Sequence, residues 1–385
     1  MPHRTIPSLA LLASLSLAAA CAADDEAPAS RDTDPGTSTG ADDSTGDAPR
    51  QALYHEDVRP ILAQHCVGCH SAGAVGPFEL DDYADAQAWG PVMLGAVEDR
   101  TMPPFSVNND GSCNTFHDAR WLSDEEIDTI AAWVDAGYPE GDRTIPAPAV
   151  PTPPSLTGTV HALSLPQYQP ASADGDTEDY HCFLVELDLD APRYVTGFDV
   201  LPGNPELVHH VLGFRVDPGM LGNAAQMQAL DDLSPDVPGW ECFGAAGEDV
   251  FPGGVPVTWA PGAGATAYPD GVGVRFDPGD VMVVQVHYDL AHGDGMDATK
   301  VQLQLADSVE REAIQVLWDP FLFTTQFGGE VPELPPGQEL ASYSWDDTLR
   351  QMLSFDYGDP DFDRVEILGL IPHMHQRGLR MSVEL

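Results

Sequence analysis

Basic residues are nearly missing from this chain. Its 385 residues include 16 Lys+Arg against 62 Asp+Glu, and Lys300 is the one lysine. The resulting formal net charge of -46 argues against nucleic acid or an anionic lipid surface as an electrostatic partner. A surface of this kind suits neutral or cationic partners, or serves only to keep the chain in solution. Long apolar runs are also scarce: after Cys21 no segment approaches the roughly 20 apolar residues that a membrane-spanning helix needs. Cysteine is limited to six residues, few enough to consider one by one. What the chain does have is 43% hydrophobic residues, enough to bury real cores and to support two or three domains.

The N-terminus combines a short basic start, "MPHR", with the apolar run "TIPSLALLASLSLAAA" and small residues directly ahead of Cys21. This pattern resembles a bacterial lipoprotein signal, which implies that Cys21 is lipidated and that the mature chain is anchored on the outer side of a bacterial membrane, periplasmic or cell-surface. An ordinary secretory signal cleaved after Ala-x-Ala is the competing pattern, and either one places the chain in an oxidising compartment. Residues 22–50 are mostly Asp, Ser, Thr, Gly and Pro, a composition that reads as a flexible acidic tether. A second change of texture, Pro139 to Ser155, is Pro-rich and reads as an extended spacer, the linker proper covering 143–156.

Between the tether and the spacer, residues 51–142 read as helical. Ser123 and Glu126 form a capping box, Ile127, Ile130, Ala131 and Val134 recur at helix spacing, and Gly137 ends the run. Val58, Ile61 and Leu62 make a similar stripe just before "HCVGCH" at 65–70. Cys-x-x-Cys alone suits a redox dithiol or half a zinc site. With His directly following, it suits covalent haem: thioethers at Cys66 and Cys69 and an axial iron ligand at His70. The region resembles a class I cytochrome c, and "DRTMPPF" then supplies Met102 as the expected sixth ligand, ahead of Met93. A His/Met pair favours electron transfer over catalysis at the iron. His65 and His117 are expected to be packing or surface residues.

From about Thr157 onward the chain is built of short β-branched runs parted by Gly, Pro and Asp: "CFLVELDL", "YVTGFDVL", "HHVLGFRV", "VGVRFDPGDVMVVQVHYDL", "KVQLQLA" and "VEILGLIPHMH". This predicts an all-β jelly-roll sandwich. Histidines fall on three of these runs. His373 and His375, two apart on a strand, face one side and can share a metal. His209 and His210 are adjacent and would face opposite sides unless the strand bulges or ends there, or one ring binds through its other nitrogen. His287 lies in "VVQVHYDL". Imidazoles without a thiolate favour copper or zinc.

Together these groups resemble the copper type II, ascorbate-dependent monooxygenases. The resemblance implies one copper at His209, His210 and His287, which holds an electron. A second, at His373 and His375, would bind O2 and substrate. It also implies a disulfide between Cys182 of "DYHCF" and Cys242 of "WECFGAAG", although pairing of either with Cys113 is also open. The expected layout is a first copper β-domain at 157–310 and a second at 311–385. Leu385 closes the second before the Met ligand that the family places further on, so that domain is expected to be incomplete. Ile371 and Pro372 stand where peptide-amidating members carry a basic residue, which argues against a peptide C-terminus as substrate, with Arg377 and Arg380 nearby. The implied activity is hydroxylation of a C–H bond of a small molecule with O2. Electrons would come through the fused haem, from ascorbate or another external reductant, or pass to a redox partner protein. Two other functions fit the same residues: an exported haem and copper electron-transfer or metal-binding lipoprotein, and a β-sandwich binding module with incidental histidines.

Overall fold

The computed structural model describes residues 50–384 apart from 75, 106, 113, 117, 118, 153, 173–176, 244, 292, 316–334, 339, 347, 358–363 and 372–377; for 354–357 it describes the backbone alone. The chain divides into two compact units, Met1–Thr152 and Pro153–Leu385.

In the first unit a π-helical turn, Tyr54–Val58, leads into α1, Arg59–His65. Pro60 lies in the first turn of α1, where a missing N–H costs nothing. Helix α2, Tyr83–Glu98, starts at Asp82, whose carboxylate accepts the Asp85 amide at 2.9 Å. Gly90, Pro91 and Gly95 obscure this helix in the sequence, yet Ala86, Gly90, Met93 and Val97 form its buried stripe. Gly90 is there because the Tyr138 ring leaves no room: a Cβ would meet it at 2.5 Å. Helix α3, Asp124–Asp135, begins with the predicted capping box, and Gly137, at φ 76°, follows its end. Tyr54, Leu62, Leu80, Met93, Leu122, Ile130 and Trp133 make the core of this unit, so Met93 is a packing residue.

The second unit is mostly sheet. Its strands are β1 (Thr159–Ser164), β2 (Glu178–Glu186), β3 (Arg193–Leu201), β4 (Val208–Val216), β5 (Trp240–Glu241), β6 (Val257–Trp259), β7 (Thr266–Ala267), β8 (Val272–Phe276), β9 (Val281–Asp289), β10 (Lys300–Ala306) and β11 (Arg311–Ala313). One sheet runs β1-β10-β3-β8-β11, with β7 also on β3; the other runs β5-β2-β9-β4-β6. Phe198, Val200 and Leu303 from the first sheet share a core with Phe183, Val211, Val284 and Val286 from the second, so the two face each other as a sandwich.

Strand β9 is buried on both sides. Met282, Val284, Val286 and Tyr288 face the sandwich core, while Val281 and Val283 face a smaller cluster on the outer side. That cluster includes Phe214, Trp240, the Cys182–Cys242 pair, and Met227 and Leu230 of helix α4 (Asn223–Asp231). Double burial explains why "VMVVQVHY" is nearly continuous in apolar residues rather than alternating.

Most of the runs predicted as strands fall in β2, β3, β4, β8, β9 and β10. The last one does not: residues 364–371 have no sheet partner and are largely exposed. Among the described residues after Ala313 there is no strand, and helix α5, Leu349–Tyr357, appears instead. Of the second β-domain expected at 311–385, the described residues show β11, which joins the first sheet. A short apolar run has strand composition whether or not a partner exists for its backbone groups.

The capping box of α3 gives a pH-dependent prediction. Burial opposes ionisation of Glu126, but hydrogen bonds from the Ser123 amide and hydroxyl, helped by His65, hold its carboxyl below the ordinary value. This contribution is present above the ordinary carboxylate pKa and is lost as pH falls through the lowered one. In urea unfolding of the full chain, Ser123→Ala should cost about 1 kcal/mol at neutral pH. The difference from wild type should shrink as pH falls well below ~4.3; a difference that ignores pH would show that the Ser123 hydroxyl does not stabilise ionised Glu126.

Candidate metal centre

The site forms where β4 and β9 pair. Val208 lies opposite Tyr288 and His210 opposite His287, so His209 is an extra residue, a bulge in β4. Burial agrees: Val208 and Val211 both enter the sandwich core although they are three apart, a spacing that alternation forbids without an inserted residue. The bulge resolves the question that the adjacent histidines raise, because both rings now reach the outer side of the sheet, where His287 also lies.

The three imidazoles converge through one kind of atom. Nδ1 of His287 is 3.0 Å from Nδ1 of His209 and 3.1 Å from Nδ1 of His210. One ligand atom from each ring lies within 4.8 Å of the others. A single proton on a ring nitrogen can bridge only one such pair. One ion at ~2.0–2.1 Å from each nitrogen would satisfy all three, with nitrogens roughly 3.3 Å apart for tetrahedral angles. His209 is exposed, His210 half-buried and His287 buried, so the ring at the back is fixed and the front is open. Burial, and then the His210 and His209 rings, push the His287 imidazole down to about 3. It is neutral at physiological pH, the form a metal requires.

The surroundings hold His287 firmly. Tyr180, its partner in register on β2, stacks flat on it with centroids 4.0 Å apart and planes at 8°. Phe243 packs edge-on against Tyr180 at 4.9 Å. Burial, and then the charge of Glu178, push the Tyr180 phenol up. Cys182 and Cys242 form a disulfide across a sequence separation of 60 residues, worth about 4 kcal/mol of chain entropy. Gln285 donates to the Cys242 carbonyl at 2.7 Å and to the Ala245 carbonyl at 2.8 Å, which ties the disulfide loop to the metal strand. Behind the site, Tyr288 donates to Asp297 at 3.0 Å, and Asp297 accepts the Asn204 amide at 2.8 Å. The segment that precedes the His pair is thereby anchored to β9. Tyr180 and Gln285 carry no sequence signal beyond lying two residues from Cys182 and His287 respectively, on the same strand face.

In the helical unit, Cys66 caps α1, and the Cys69 and His70 amides both donate to its carbonyl, at 3.0 and 2.9 Å. Both thiols are free, and burial, with the Cys69 and Glu126 charges, pushes the Cys66 thiol up to about 12. Nδ1 of His70 meets the Phe78 carbonyl at 3.0 Å, which leaves Nε2 as the ring's other nitrogen. Phe78 in turn stacks on Trp89 at 4.2 Å. This donor set fits a haem whose proximal imidazole is oriented by a carbonyl. Met102 follows α2 with its amide bonded to the Ala96 carbonyl, and its side chain is 45% exposed. His65, expected as packing or surface, lies 3.2 Å from Glu126. Cys21, Cys113, His117, His373 and His375 lie outside the described residues.

No protein-family model matches the chain, and no curated protein is similar to it at a meaningful level. Among the described residues no helix is long and apolar enough to cross a membrane.

The exposed ring offers the cleanest test of the cluster, since the contacts it makes are with the other two imidazoles. Copper or zinc should raise the Tm of the full chain, and His209→Ala should remove most of that rise while leaving the metal-free Tm within about 1 °C. His161→Ala on β1 should retain it in full. Equal metal-induced shifts in all three proteins would place the ion elsewhere.

Proposed function

We propose that this chain is an exported haem and copper oxidoreductase of the copper monooxygenase type, in which the three-histidine centre holds one electron for oxygen insertion into a C–H bond. The observation that carries this reading is the convergence of three Nδ1 atoms without a thiolate or carboxylate among them, built by a bulge that has no other evident use. Copper bound there supplies single-electron storage, and a c-type haem supplies single-electron transfer.

The chain's own residues have separable tasks. His287, buried and clamped by Tyr180, would fix the position of the ion; His209 and His210 would supply the other two ligands at the open front. Cys66 and Cys69 would tether a haem, and His70 would ligate its iron. Met102 would be the second protein ligand of that iron, and the proline beside it limits its loop. His373 and His375 are the proposed ligands of the second copper, where O2 and a small-molecule substrate would meet. The lipid anchor at Cys21 and a redox partner or external reductant belong to the same proposal. The electron-transfer alternative needs the same three-histidine centre and haem but no oxygen chemistry.

Metal content decides between these readings. Protein matured with a cytochrome c assembly system should contain one haem by pyridine haemochrome and two coppers by elemental analysis. Ascorbate-reduced haem should be reoxidised anaerobically by the Cu(II)-loaded protein, and His287→Ala should abolish this. One copper per haem with intact electron exchange and no O2 consumption would favour the electron-transfer protein. Haem that the copper-loaded chain cannot reoxidise would sink the relay.

A further inference from the structure

The ring of His287 has a second nitrogen, and its surroundings differ from those of the first. Nδ1 is the atom that meets both other histidines. When Nδ1 carries a metal, Nε2 must carry the ring proton and act as a donor. Nε2 is buried and has no hydrogen-bond partner in the metal-free chain. Ligating imidazoles normally give this second N–H to a carboxylate, a carbonyl or water, which fixes the tautomer and raises the basicity of the ligand nitrogen.

Strand β2 places a carboxylate beside that atom. Oε1 of Glu178 lies 3.9 Å from Nε2, and its side chain is 48% exposed, so it has the freedom to close the remaining gap. Glu178 is two residues from Tyr180 and so lies on the same face of β2, the face that covers the His287 ring. Asp289 is the competing carboxylate. It lies opposite Glu178 in register and also bears on the His287 ring, but its Oδ1 already accepts the Ala291 amide at 2.8 Å.

We infer that Glu178 is a positioning residue for the metal centre, accepting the Nε2–H of His287 when Nδ1 binds the ion and so favouring Cu(II) over Cu(I). The inference rests on the three-histidine reading above and extends it to a group outside the ligand set. A carboxylate acceptor strengthens the imidazole as a donor, which stabilises the higher charge on the ion more than the lower. Tyr180, flat against the ring, holds its plane.

The test uses the full chain loaded with copper alone, in a His373→Ala, His375→Ala background so that the signal comes from one centre. One Cu(II) with nitrogen ligands by EPR must be seen first; if this parent binds no copper, the three-histidine reading fails and this inference with it. Given that copper, Glu178→Gln should weaken Cu(II) binding ~10–100-fold and Cu(I) binding less. Each tenfold change in the ratio of the two affinities raises the midpoint potential by about 59 mV. Pulsed EPR should show a changed remote-nitrogen coupling for one imidazole of the three. Glu178→Asp, which keeps the charge on a shorter side chain, should shift the same readouts less and serves as the second variant if the Gln form folds poorly. Asp289→Asn should leave them at parent values. An unchanged potential and remote-nitrogen signal in both Glu178 variants would overturn the inference, as would a shift produced by Asp289→Asn instead.

Discussion

The extra residue at His209 changes the register of β4 against β9, and the chemistry of the second unit depends on that change. Without it, alternation would send one of the two adjacent imidazoles into the sandwich core, where an unpaired ring nitrogen is costly to bury. With it, Val208 and Val211 both stay in the core while His209 and His210 both face outward. The bulge needs a rigid partner to be useful, and β9 provides one because it is packed on both faces. Tyr288 is bound to Asp297 on the inner side, and His287 is stacked by Tyr180 on the outer side. The rigid strand fixes one ligand, and the irregular strand brings the other two to it.

The disulfide and Gln285 belong to the same construction. A small cluster beneath α4 covers the outer face of β9 next to His287, and the Cys182–Cys242 link closes the loop that forms part of it. Gln285 uses its amide to bind the carbonyls of that loop, so Cys242 and Ala245 are tied to the strand that carries the buried histidine. An oxidising compartment is a condition for this arrangement.

Much of the fold can be read from particular residues. The S-x-x-E at Ser123 announces α3, and the β-branched runs announce the strands around the site. Helix α2 is hidden because Gly90, Pro91 and Gly95 interrupt its composition; only the tertiary contact with Tyr138 explains Gly90. The apolar stretch at 364–371 reads as a strand because composition cannot tell whether a partner strand is present. At the site, the three histidines are visible as residue types, but their convergence is not. A bulge is a relation between two strands distant in sequence, and neither strand encodes it alone. Glu178 and Tyr180 are invisible for the same reason, since what matters is the residue opposite them in register.

The open front of the three-histidine cluster has a kinetic meaning. The exposed ring is the one contributed by the bulge, so an ion can arrive at and leave from that side without any strand parting from its neighbour. Exchange of an ion held there would be uncoupled from breathing of the sandwich, its rate set by how quickly one surface imidazole swings aside. A chain built this way can be loaded after it has folded.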